Sequence, residues 1–276
     1  MKVSKCKAFT LIELLVVISI IAMLMAILMP ALSKAREQAK KIVCGNHYRQ
    51  QSLGVTMYAE SNNSYVPIVA PTPGYWAWDI SFWTTDMISQ YGGIDDNEVF
   101  FCPANKDRDP QDGRVWQYSW INVGTKFEPL KSEAELTDSA KKGFYRVLPS
   151  LFTFDRLDVS GKSLLNTGQW QRLQTGERAQ WIRKVSAVSR PSEWPMVMDA
   201  IISERGSMTN FFEITSGGSY DLMGLYDRSN HKSKRKFDTG EYKPAGANIA
   251  FTDGHVEWRD FDEMAYRLDW GQYFWW

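Results

Sequence analysis

The sequence has no excess of charge in either sign: 32 basic and 32 acidic residues balance over 276 positions. A nucleic-acid binder working through overall positive charge is excluded as a first reading, and no nucleic-acid partner is expected. Cysteine is scarce, three in all, which excludes a disulfide-built scaffold and leaves one thiol odd. Histidine is equally scarce, at His47, His231 and His255. No HExxH, EF-hand spacing or nucleophile elbow accompanies them, so neither an enzymatic activity nor a cofactor is expected. There are no internal repeats and no low-complexity tracts. With 44% hydrophobic and 23% charged residues the chain is neither disordered nor fibrous. Membrane-length apolar runs are missing everywhere except one place.

That place is the N-terminus. Residues 1–8, MKVSKCKA, carry Lys2, Lys5 and Lys7 and no acid. Phe9 to Met29 follows, with only Thr10, Glu13 and Ser19 polar. About 20 helical residues cross the ~30 Å hydrocarbon core of a bilayer. Lysines before such a span stay cytoplasmic, which puts the chain after residue 30 on the outer side. A cleaved secretory signal has an apolar region of only ~7–15 residues. Neither it nor a plain signal anchor accounts for Glu13, whose carboxylate costs ~2–3 kcal/mol in an apolar segment. Pro30 has no amide proton and crowds the carbonyl of Ala26, so a bend or local unwinding is expected there.

Residues 31–61 continue the helix, with Ala35, Ala39, Ile42, Leu53 and Met57 near one face. Gly45 and Gly54 are expected to weaken it by ~1 kcal/mol each relative to alanine. Asn62-Asn63-Ser64 and Pro67 end it. Its polar half needs a sheet against its apolar face to be stable. The boundaries that follow are 1–8 for a cytoplasmic leader, 9–29 for a transmembrane helix, 30–62 for the outer half of the same helix, and 63–276 for an α+β head. Within the head, Asp79 to Tyr91 reads as a helix and Val99 to Phe101 as a strand. Phe144 to Phe154 reads as a strand, Trp194 to Ile202 as a buried strand, and residues 203–245 as mostly loop. Apart from the strand at Phe144 to Phe154, residues 123–180 are variable in character and poorly readable.

Asn248 to Trp258, NIAFTDGHVEW, is the clearest hairpin. A two-residue turn at Asp253-Gly254 sets Phe251 opposite Val256 and Ile249 opposite Trp258. That register gives one apolar and one polar face, as a half-buried ribbon requires.

The stretch Ala8-Phe9-Thr10-Leu11-Ile12-Glu13 resembles the N-terminal signal of type IV pilins and type II secretion pseudopilins. The resemblance implies cleavage by a prepilin peptidase between Ala8 and Phe9, N-methylation of Phe9, and a role for Glu13 in assembly with other pilin or pseudopilin subunits. Ala8 stands where the family usually has glycine. Other landmarks resemble a prepilin-like subfamily carrying the "H-X9-DG" element. They are Cys44, Phe101-Cys102-Pro103, Pro191-Ser192-Glu193 with Met196 to Asp199, Asn230-His231, and Asp253-Gly254-His255. The spacing departs from that element, with 21 residues between His231 and Asp253. Either a basic loop is inserted at Lys232 to Tyr242, or His231 is not the equivalent residue. The resemblance implies a pilin-like fold, a long N-terminal helix packed on an antiparallel sheet. It also implies a structural subunit of a type IV pilus or pseudopilus, single-pass in the inner membrane. The rival is a membrane-anchored extracytoplasmic binding protein, for polysaccharide among other ligands, that uses the signal only for export.

Cleavage removes Cys6 and leaves Cys44 and Cys102 on the oxidising side, so a disulfide between them is expected, with two buried thiols as the alternative. No metal is assigned. His231, Asp253 and His255 are the residues that would meet to hold one, and Asp221, Asp227 and Asp238 would serve calcium, without a recognisable spacing. The twelve tryptophans read as core material rather than a sugar platform. The terminal Tyr273 to Trp276 is left open between packing on the head, docking a neighbour and touching lipid headgroups. Lys232, Lys234, Arg235 and Lys236 read as a solvated loop.

Overall fold

The computed structural model describes residues 10–67, 79–105, 145–155, 181–214, 228–269 and 272–276. The leader, Ala8 and Phe9, Asp221 and Asp227 lie outside the described residues. The architecture is α+β and pilin-like, a long N-terminal helix followed by an antiparallel-sheet head. The chain divides into two compact units, 1–40 and 41–276.

The helix α1 runs Leu11–Ser61 with Pro30 inside it, so the chain does not unwind at Pro30. In the first unit the large apolar side chains from Leu11 to Leu32 keep between 45% (Ile21) and 78% (Leu11) of their surface exposed. This stretch is long and apolar enough to cross a membrane.

In the second unit the same helix changes character. Cys44, Tyr48, Gln51, Ser52, Val55, Tyr58 and Ala59 are buried. Cys44, Tyr48 and Val55 join Phe152, Phe154, Met196, Val197 and Ala250 in one hydrophobic core. α1 ends as anticipated, with Asn63 and Ser64 both at positive φ. The second helix, α2, spans Phe82–Gly92. It begins later than expected because Asp79–Ser81 forms a strand, β1, paired with β2 at Tyr145–Val147. Ser81 then caps α2, its hydroxyl accepting from the Thr84 amide. A Cβ on Gly54 would lie 2.4 Å from the Ile88 carbonyl oxygen of α2, and one on Gly92 would lie 3.1 Å from Gly54 Cα. Gly54 is therefore where the two helices touch, the reverse of a weak point. The expected strand at Val99 to Phe101 is instead a 3-10 turn, Asn97–Phe100, capped by Asp96.

The central sheet contains β3 (Ser150–Phe152), β4 (Pro195–Asp199), β6 (His231–Lys236), β7 (Tyr242–Phe251) and β8 (Val256–Asp260). Antiparallel pairings link β3 to β4, β4 to β7, β7 to β6 and β7 to β8. Within residues 203–245, of which 215–227 lie outside the described residues, most of the described chain is loop, but β6 carries the basic run and β7 begins at Tyr242. β6 pairs among the described residues with β7 alone, and lysines on such an edge discourage further pairing. A smaller sheet orders β5 (Ile202–Glu204), β10 (Gln272–Trp275) and β9 (Tyr266–Asp269).

The hairpin exists with a register one residue away from the expected one. Asn248 faces Trp258, Ile249 faces Glu257 and Ala250 faces Val256. Phe251 closes it, donating its amide to the His255 carbonyl, and Gly254 donates back to the Phe251 carbonyl. Only Gly254 has positive φ, +88°, so the loop is the three-residue kind, a turn followed by a left-handed glycine. The alternation argument misled because β7 is buried on both faces. Ala250 belongs to the core under α1, while Ala247, Ile249 and Phe251 belong to a second core with Leu151, Met198, Phe211 and Phe274. Trp275 and Trp276 pack against that second core, so the C-terminal aromatics pack on the head.

Candidate functional site

The start of α1 is built from Thr10 and Glu13. The Thr10 amide and hydroxyl both donate to Glu13 Oε2 at 2.8 Å, and the Glu13 amide donates back to Thr10 Oγ1 at 3.3 Å. This is a reciprocal capping box, which satisfies donors that an α-helix start otherwise leaves orphaned. Glu13 is thus the cap of the helix in the isolated chain, a role for which the Thr-x-x-Glu spacing was the available signal.

The second concentration of chemistry lies beneath the central sheet, and its centre is Asp199, which sequence reading noted only as the end of a strand. Asp199 is fully buried. Its Oδ1 accepts from Cys44 Sγ at 3.2 Å, Tyr48 Oη at 3.1 Å and Asn230 Nδ2 at 2.6 Å. Its Oδ2 accepts from the Asn248 amide at 2.8 Å and lies 3.3 Å from His231 Nε2. That same His231 nitrogen lies 3.3 Å from Cys102 Sγ. Trp258 meets the His231 ring edge-on, with ring centroids 5.1 Å apart.

The contributors come from several elements far apart in the sequence. Cys44 and Tyr48 are one turn apart on α1. Cys102 follows the 3-10 turn, where the Phe101 carbonyl is held 2.9 Å from His47 Nδ1. Asp199 ends β4, His231 begins β6 and Asn248 is in β7. Of the landmarks scattered along the sequence, Cys44, Cys102, Asp199 and Asn230-His231 converge here.

Burial raises the Asp199 pKa, but the His231 charge, the Asn248 amide and the Asn230 side chain outweigh it and hold the carboxyl below its usual range. Burial lowers His231, and the Asp199 charge and the contacts with Asp199 and Cys102 lift it well above an ordinary imidazole. The thiols divide. Burial pushes Cys44 up. Burial also raises Cys102, but hydrogen bonds with Cys44 and His231 bring it below the usual thiol value. Cys44 therefore keeps its proton toward Asp199, and Cys102 faces the imidazolium.

The expected disulfide is not formed here. Cys44 and Cys102 are free, buried thiols, with their sulfurs within 4.8 Å of one another. The grouping of His231 with Asp253 and His255 is also not what the structure brings together. His255 sits at the exposed turn, its Nδ1 2.6 Å from Asp253 Oδ1 and its ring stacked on Phe251. His231 is buried in the Asp199 cluster instead.

The basic run is equally local. Lys232 and Lys236 place their ammonium groups over the Tyr242 ring, 4.1 and 4.7 Å from its centroid, and Arg235 pairs with Asp262.

Comparison with known proteins bears on the first of these places. The Prokaryotic N-terminal methylation motif matches residues 3–29. The chain is also similar to the type IV wide pilus major component PilA4 of Thermus thermophilus, 48% identical over 59 residues, which cover 21% of this chain and 45% of the relative. The chain thus spans less than half the length of that relative. No solved structure matches the chain to significance. The methylation motif and the relative together make the N-terminal stretch of this chain similar to that of type IV pilins, and a helix-plus-antiparallel-sheet architecture follows it.

Proposed function

We propose that this chain is a prepilin-like structural subunit, anchored by residues 9–29 in the inner membrane with its head on the outer side. A prepilin peptidase cuts between Ala8 and Phe9 and the new terminus is N-methylated. The mature subunit then joins others in a type IV pilus or a type II secretion pseudopilus. The observation that carries this reading is the apolar stretch of α1, whose side chains from Leu11 to Leu32 stay exposed. Such a surface needs lipid or the matching stretch of another subunit to cover it. Glu13 supports the reading through its capping box. Thr10 satisfies the carboxylate locally in a lone chain, so the residue tolerates an apolar setting until a charged amine replaces those donors. A buried pair of this kind acts as a register device more than as a source of stability.

Intact mass of the membrane fraction tests the processing: an N-methylated chain beginning at Phe9 is expected, and an uncut Met1 terminus would overturn the reading. Sheared surface filaments test the assembly. Wild-type chain should be found in them and Glu13→Ala should be strongly depleted, with membrane insertion intact. A wild-type chain that is processed but stays monomeric in the membrane would favour the anchored binding protein.

A further inference from the structure

We propose that Cys44, Cys102, His231 and Asp199 form a binding site for a thiophilic divalent cation of the zinc class, which fastens α1 to the sheet. The inference rests on the second unit, 41–276, alone and holds whether or not the chain assembles into filaments.

The donor set comes first. Two sulfurs, an imidazole nitrogen and a carboxylate oxygen are the ligands of a four-coordinate zinc centre, whereas calcium and magnesium take shells made of oxygen. Their placement is the second point. The four ligand atoms all lie within 4.8 Å of one another, and all four residues are buried. Zinc bonds of ~2.3 Å to sulfur and ~2.0–2.2 Å to nitrogen and oxygen give a tetrahedron with edges of roughly 3.4–3.8 Å. The contacts Cys44 Sγ to Asp199 at 3.2 Å, Cys102 Sγ to His231 Nε2 at 3.3 Å and His231 Nε2 to Asp199 Oδ2 at 3.3 Å are already near those edges. Those three separations, the first and third made to different oxygens of Asp199, need change by only tenths of an ångström, and the remaining pairs, within 4.8 Å, close onto the cation.

The surroundings fit the same reading. Metal-binding carboxylates are held by outer hydrogen bonds. Here Tyr48, Asn230 and the Asn248 amide all donate to Asp199. Two thiolates and a carboxylate around a doubly charged ion leave one negative charge over, and those same donors point at it. Trp258 fixes the imidazole plane from the side. Binding exchanges protons for metal: each thiol still protonated loses its proton, the imidazolium becomes neutral imidazole, and no electron moves.

The full chain, purified in detergent from zinc-replete cells without chelator, should carry close to one zinc per chain by elemental mass spectrometry. Cys102→Ser and His231→Ala should each lose most of it. Because those variants can misfold, cobalt(II) added to the metal-stripped wild type gives a second reading. It should show the intense visible bands of tetrahedral cobalt with thiolate charge transfer, and equimolar zinc should abolish them. Less than about a tenth of a zinc per chain after loading would overturn the site. So would a cobalt spectrum without thiolate charge transfer, or a Cys44–Cys102 disulfide in peptides from the zinc-replete protein.

Discussion

Ile20 and Val55 lie on one unbroken helix and meet opposite fates. Ile20 keeps 54% of its surface exposed, and Val55 keeps none. Both are β-branched aliphatics in the same backbone geometry, so neither the residue type nor the helix decides. What differs is the partner. Val55 finds one within its own chain, in the core that α1 shares with β3, β4 and β7. For Ile20 the described chain supplies none. A helix can be continuous in hydrogen bonds and discontinuous in the medium it requires.

The sharpest test of that contrast is Asp199→Ala. It leaves His231 as a buried charge and strips the acceptor from Cys44, Tyr48, Asn230 and Asn248. Removing one partner of a buried pair costs about 3–5 kcal/mol. A thermal melt of the full chain in detergent should show the head transition lowered severely, and a change below about 1 kcal/mol would mean the cluster does not anchor α1.

Gly54→Ala comes next. Helix propensity alone would stabilise by ~1 kcal/mol, but the new methyl meets the Ile88 carbonyl, and overpacking at the upper end of ~1–3 kcal/mol should leave a net loss of about 2 kcal/mol. A more stable variant would show that α1 and α2 are not in close contact there. Gly254→Val should cost about 1–2 kcal/mol, since a β-branched residue is strained at positive φ. Denaturant midpoints with an unchanged slope would report it, and an unaltered midpoint would refute the three-residue turn.

The smallest effect is the most telling for the comparison. Ile20→Ala should leave the head transition within about 0.5 kcal/mol of wild type. A clear shift in head stability would mean that the apolar half of α1 is covered by the head after all.

The sequence displayed some of this openly. The apolar run, the charged residue inside it and the end of α1 near Asn62 were legible because each is a local signal. The hairpin was legible as a hairpin, but its register was not. Alternation fixes register only where one face is wet, and β7 is dry on both. β6 was hidden because Lys232, Lys234, Arg235 and Lys236 look like a loop, whereas an edge strand takes lysine for the same reason a loop does. Asp199 was invisible as a centre because its partners stand 31 residues away at Asn230, 49 at Asn248 and 155 at Cys44. Gly54 was misread because propensity scales describe a helix in water, and its neighbour here is another backbone.

The lysine-lined edge at β6 has a further consequence, in colloidal terms. A strand with one bonded side offers its other side to any passing chain, and such offers are how soluble proteins turn into fibrils. Here Lys232, Lys234, Arg235 and Lys236 all stand exposed on that strand. A second copy laid edge to edge would press ammonium against ammonium. However closely copies of this protein are crowded, this margin of the sheet repels its own likeness, and a stretch of six residues is enough to discourage edge-to-edge pairing there.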